Sequence, residues 1–198
     1  MVYKETYINL CHGTDDKSAD SIIENGFELR GSEDSWCGKG IYFYDIKKKA
    51  WWSANRTCNK IKNDTGNRIK PAIIFADIID LSDSDIIDLR TEKDLYAFEQ
   101  YVNSIFGDYK IAIGSEMNDI ERKIKLRSLM ISFFVDKLHK KIVIGNFRQR
   151  PQPKYEHAIE FANSLDMIFG IETIYCVKDS TIIGNVRKGG EGNGENVN

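Results

Sequence analysis

An α+β fold is what this chain predicts, on three observations. Short apolar runs of strand length and amphipathic stretches of helix length both occur. They are interspersed without the even alternation of a parallel strand–helix–strand protein, which separates α+β from α/β. The 198 residues, 41% hydrophobic and 29% charged, suffice for one substantial core.

Residues 5–12, Glu-Thr-Tyr-Ile-Asn-Leu-Cys-His, predict a strand that ends at Gly13. Asp15 or Asp16 can cap a following helix whose apolar positions Ala19, Ile22 and Ile23 follow helical spacing. Gly26 stops it in a left-handed cap. Residues 40–44 predict a second strand, and 47–59 a helix carrying Ala50, Trp51 and Ala54. The polar stretch 59–70 reads as a loop. Pro71 opens a buried strand over 72–79. Residues 91–106 form a helix with Leu95, Phe98, Tyr101, Val102 and Ile105 on one face, and 120–138 a further helix. A strand is expected at 141–147, an irregular Arg-Pro-Gln-Pro segment at 150–153, a helix at 155–167 and a strand at 171–177. From Gly189 the Gly/Glu/Asn tail cannot bury anything and is expected to be disordered. The domain proper is therefore residues 1–188, with 189–198 as tail.

No apolar run approaches the ~20 residues a membrane helix needs, and the N-terminus lacks a signal peptide's apolar centre. A cytoplasmic protein with no membrane partner is expected. The four cysteines, Cys11, Cys37, Cys58 and Cys176, are then reduced thiols, and their spacing fits no zinc pattern, so no metal is expected. Net charge is −2, but charge is unevenly spread. Residues 77–99 hold eight acids against Arg90 and Lys93, and residues 121–154 hold ten Lys/Arg against Glu121 and Asp136. The ordinary reading of either run is a solvated face.

Chemistry concentrates in the order strand, "CHGT", helix, "GKGIYF", then a helix with aromatics in "AWWSA". Late in the chain comes "IETIYCVKDSTII", where Glu172 interrupts an apolar strand, costly unless it is paired or used. Together these stretches resemble the diphtheria-toxin-like and poly(ADP-ribose)-polymerase-like ADP-ribosyltransferases, whose members carry a His, a Tyr and a Glu on core strands. The local similarity covers about 45 residues at the N-terminus and about 15 near the C-terminus.

The resemblance implies two small packed β-sheets forming an NAD cleft with flanking helices. It implies His12, Tyr42 and Glu172 as catalytic residues, with all three side chains lining one pocket. His12 would meet the adenosine ribose, and Gly13 would let its backbone approach the nicotinamide carboxamide. Tyr42 would stack on the nicotinamide ring. Glu172 would stabilise positive charge on the ribosyl fragment. Thr14, Gly40, Trp52 and Ser53 complete the expected NAD-binding set, with Trp51 the alternative to Trp52 as second stacking ring. Gly13 and Gly40 would keep the cleft open to a flat ligand. The implied activity is transfer of one ADP-ribose from NAD to a protein or single-stranded nucleic acid, as a toxin or anti-phage effector, with an antitoxin protein as a further partner. NAD hydrolysis, and a catalytically inactive NAD- or ADP-ribose-binding module, are the alternatives. Nucleic acid enters because the basic residues Arg122, Lys123, Lys125, Arg127, Lys137, Lys140, Lys141, Arg148 and Arg150 are interleaved with Phe133, Phe134 and Phe147.

Overall fold

The computed structural model describes residues 5–29, 35–112, 119–148 and 171–189. The helix expected at 155–167, the segment at 150–153 and the tail beyond Gly189 lie outside these residues. What is described is mixed α and β, as expected, built around seven strands in the order β4-β5-β6-β2-β1-β3-β7.

Strand β1 (Glu5–Asp15) runs past Gly13 because it pairs along its length with β3 (Pro71–Leu81), His12 opposite Ile74 and Asp15 opposite Pro71. Asp15 then caps helix α1 (Asp16–Asn25), accepting from the Ser18 backbone N–H at 3.0 Å. Gly26 ends α1 with positive φ but an extended ψ (79°, −179°), so the stop uses glycine's freedom without the left-handed helical geometry expected.

Strand β2 (Ile41–Tyr44) leads into α2 (Lys47–Thr65). The loop expected over 59–70 is instead helix as far as Thr65. Ala50, Ala54 and Cys58 supply a continuous buried stripe, so polar residues on the other faces do not end it. The stop is Gly66, in the left-handed region.

A short strand, β4 (Ile86–Asp88), pairs in parallel with β5 (Ile142–Arg148). Between them lie α3 (Glu92–Ala112) and α4 (Asp119–Lys137). Strand β6 (Ile171–Val177) lies between β5 and β2, and β7 (Ile183–Lys188) closes the far edge against β3. The acidic run is only partly a solvated face: Asp77 accepts from the Asn9 backbone, Asp85 from Ser82, and Asp94 from the Asp88 backbone.

The sheet's two faces are buried differently. On one, Cys11, Tyr44, Ile73, Ile174 and Cys176 pack under Ala50 of α2 and Ile131, Phe134 and Val135 of α4. On the other, strand residues dominate the buried cluster, joined by Ile182 of a 3-10 turn, while Ala19 of α1 packs alongside on Ala72 and Ile74. Leu10, Ala76, Ile78 and Leu81 of β1 and β3 meet Phe43, Ile142, Ile144, Tyr175 and Val177 of β2, β5 and β6. Tyr7 of β1 reaches Tyr175 of β6 with ring centroids 5.4 Å apart, although β2 lies between those strands. The sheet is therefore folded over on itself. The fold line is the junction of β1 and β2, where a single residue pair, Cys11 opposite Tyr44, is in register. The two separate sheets expected are one hydrogen-bonded sheet bent at a thin seam.

Candidate functional site

Glu172 sits second in β6, opposite Phe147 of β5. Alternation along the strand puts it on the helix-covered face with Ile174 and Cys176. It is 6% exposed, and its Oε1 has no hydrogen-bond partner. The nearest cation is Lys49 of α2, whose Nζ lies 3.7 Å from Oε1, an ion-pair distance too long for a hydrogen bond. Burial pushes the Glu172 carboxyl above its ordinary value, Lys49 draws it back down, and Asp45 raises it further. A buried carboxylate oxygen without a hydrogen-bond partner carries an uncompensated desolvation cost.

Two more side chains complete this corner. Tyr44, two residues beyond Tyr42 and on the same face, is buried, with the Ser53 side chain of α2 near it. Desolvation raises its phenol, Ser53 draws it down, and the Glu172 charge adds to the rise. Lys49 and Ser53 are one helical turn apart, so a single face of α2 delivers both to β2 and β6. The constellation Glu172, Lys49, Tyr44 and Ser53 thus joins a helix to two neighbouring strands.

The other expected site residues distribute differently. Tyr42 shares the helix-covered face, but its Cα partner is Cys176, four residues and about 13 Å along β6 from Glu172. Its hydroxyl accepts from the Cys37 backbone at 3.0 Å and donates to the Gly38 carbonyl. The ring therefore braces the turn before β2 instead of presenting an open stacking face.

His12 faces the other way. Its ring packs against Phe27 and Phe43, at 5.2 and 5.7 Å. The seam register explains this: with Cys11 opposite Tyr44, His12 falls opposite Phe43, and directly opposed residues share a face. The expectation that His12, Tyr42 and Glu172 line one pocket is thereby corrected. His12 Nδ1 lies 2.9 Å from the Tyr42 carbonyl. A carbonyl only accepts, so Nδ1 carries the proton and Nε2 is left as an acceptor. Burial lowers the His12 pKa, opposed by that bond, and the ring is neutral at physiological pH.

Both glycines are filled by protein, not held open. A Cβ on Gly13 would lie 1.8 Å from the Ala50 carbonyl oxygen, and one on Gly40 would lie 2.5 Å from Cys176 Sγ. Their small size lets α2 and β6 approach, which corrects the reading of an open cleft. Thr14 is buried opposite Ala72 of β3, away from Glu172. Trp52 is 55% exposed on the outer side of α2, with the Arg56 guanidinium 5.6 Å from its ring centroid. Of the expected NAD-binding residues, Tyr42 and Ser53 share Glu172's face, as do Gly13 and Gly40, whose space the protein fills.

Two aromatics of the basic segment 121–154, Phe134 and Phe147, are core. Phe134 packs on Phe98 and Tyr101, and Phe147 on Trp36. Arg127 stacks on Trp36 at 4.0 Å, and Lys141 pairs with Asp85 at 3.1 Å. Phe134 and Phe147 are therefore not offered for base stacking. All four cysteines are free and buried, as expected of reduced thiols. Among the described residues no cluster of potential metal ligands occurs and no helix is long and apolar enough to cross a membrane.

No family model matches the chain, and neither a curated protein nor a solved structure matches it at a significant level. The resemblance to the His-Tyr-Glu transferases therefore rests on the motif residues themselves.

Proposed function

We propose that the protein cleaves the nicotinamide–ribose bond of NAD at Glu172 and passes the ADP-ribose to a macromolecular acceptor. The observation that carries this reading is the buried Glu172 Oε1 without a hydrogen-bond partner beside Lys49. A carboxylate placed at such expense suits a reaction in which positive charge develops next to it. As the glycosidic bond breaks, its electron pair leaves with nicotinamide and the ribose gains oxocarbenium character. A preorganised carboxylate lowers that barrier. The acceptor's oxygen or nitrogen then bonds to the ribose carbon and gives up its proton. Lys49 favours the ionised form of Glu172 that this role needs. Tyr44 and Ser53 offer hydroxyls to the ribose or the carboxamide.

In this reading the nicotinamide end lies by Glu172, and His12, on the other face of the sheet, takes no part in holding the ligand. The toxin or anti-phage role, and an antitoxin partner, follow from the motif resemblance alone. A second reading, an inactive NAD-binding module, draws on the turned-away His12 and the filled space at Gly13.

Incubation with cell extract and NAD labelled in its adenylate half separates the readings. Label in protease- or nuclease-sensitive material is the expected result. Free labelled ADP-ribose alone identifies a glycohydrolase, and intact NAD throughout identifies the binding module.

A further inference from the structure

Helix α2 leads away from Glu172 carrying a charge that the chain as a whole lacks. Residues 47–70 hold eight lysines and arginines against Asp64 alone, in a protein of net charge −2. Among the described residues, Lys49 is the only one of the eight within ion-pair distance of a carboxylate. The helix also begins against its own electrostatics. Lys47, Lys48 and Lys49 occupy its positive end, no acid lies in the first turn, and Ile46 provides no side-chain cap. A local rule broken without local compensation is expected at functional surfaces.

The exposed face has a definite chemistry. A shallow groove is lined by Trp52, Asn55, Arg56, Asn59, Lys60 and Asn63, with Asp64 as its one acid, and a second one alongside it includes Lys62 and Arg68. Trp51 and Trp52 are 39% and 55% exposed, large apolar surfaces held in water. From Trp52 to Asn63 the stripe runs about 16 Å along the helix. Cations at these spacings suit phosphates, asparagine amides suit base edges, and an exposed indole suits base stacking. An acidic protein would satisfy the cations but would leave the indole and the amides unused.

We propose that this face of α2 binds single-stranded nucleic acid. That the bound strand is the acceptor rests on the transferase reading, because Lys49 and Ser53 of the same helix reach Glu172 and Tyr44. That the strand binds does not.

The test is fluorescence anisotropy of the full chain, without NAD, against labelled single-stranded RNA, single-stranded DNA and duplex DNA. We expect single strands to bind more tightly than duplex. Trp52→Ala should weaken binding about tenfold. Arg56→Glu with Lys60→Glu should weaken it further and flatten the salt dependence by about 1.4 log units per log unit of salt, two phosphate contacts being lost. Lys123→Glu, a single reversal at an exposed position of α4, should leave affinity within about twofold of wild type. No binding by the wild type, or equal losses from the α4 and α2 reversals, overturns the proposal; capture of an acidic protein in place of any oligonucleotide does so too. Nicotinamide release without strand binding removes this surface alone, whereas strand binding without nicotinamide release removes the transferase reading alone.

Discussion

Glu172 and Lys49 set the pH behaviour of the site. Because burial raises the Glu172 carboxyl in the folded chain, the folded state holds its proton more tightly than the unfolded one. The carboxyl's contribution to stability is then greatest below the ordinary glutamate range and is lost as pH rises through the raised value. Chemical denaturation across that window should show stability falling, with the slope flattened in Glu172→Gln. Lys49 opposes the shift, so Lys49→Ala should raise the Glu172 pKa further. The acid limb of the rate of nicotinamide release should then move to higher pH, with the fold retained, since Glu172 can take up a proton when its neighbouring cation is lost. A limb that stays in place would mean that another group controls it. At this scale Glu172 was legible as a carboxylate interrupting an apolar strand. Tyr44 and Lys49 were open to the same reasoning: Tyr44 is two residues from Tyr42 on the same strand, and Lys49 is one turn from Ser53. The direction of His12 was not legible, because one residue of register decides its face.

Helix α2 shows what an element needs beyond propensity. It lies so close on β1 that no side chain fits at Gly13. Gly13→Ala should therefore drive a methyl group into the Ala50 carbonyl, which cannot swing aside as a side chain would. The expected loss is at or above the ~3 kcal/mol upper end of ordinary overpacking. Gly66→Ala meets open space but keeps a φ of 75°, at a cost of about 1–2 kcal/mol. Urea midpoints of the two variants should fall in that order, and the reverse order would contradict the packing of α2 on β1. Strands such as β3 and β6 were legible because apolar residues dominate them, with acids such as Asp77 and Glu172 as isolated interruptions. The second half of α2 was not, since polarity suggested a loop while the buried stripe through Cys58 and the stop at Gly66 kept it helical. Strand β7, with its mixed burial, exists because β3 offers an edge, which no local pattern announces.

The molecule as a whole is a sheet bent at its weakest junction. One residue pair and the His12 imidazole on the Tyr42 carbonyl hold β1 to β2, whereas β1 and β3 pair over most of their length. Native-state hydrogen exchange should show the β1–β2 amides losing protection ahead of those between β1 and β3. His12→Ala should speed that opening with little effect on β3. Uniform protection across both junctions would mean that the seam is no hinge. Burial also lowers the His12 pKa, so its support for the fold is present above the ordinary histidine value and is lost as pH falls through the lowered one. The sequence carried the motif but not this seam, because long-range register is a property of the assembled sheet.

The central claim is that Glu172 is the charge-stabilising group of an NAD-cleaving site. It is tested most directly by nicotinamide release from NAD, measured side by side for the wild type and Glu172→Gln, with folding of both confirmed by their thermal transitions. The account predicts release by the wild type and a ~10²–10³-fold slower rate in the variant, with a fold at least as stable. Equal rates in the two proteins, or no release by a folded wild type, would contradict it.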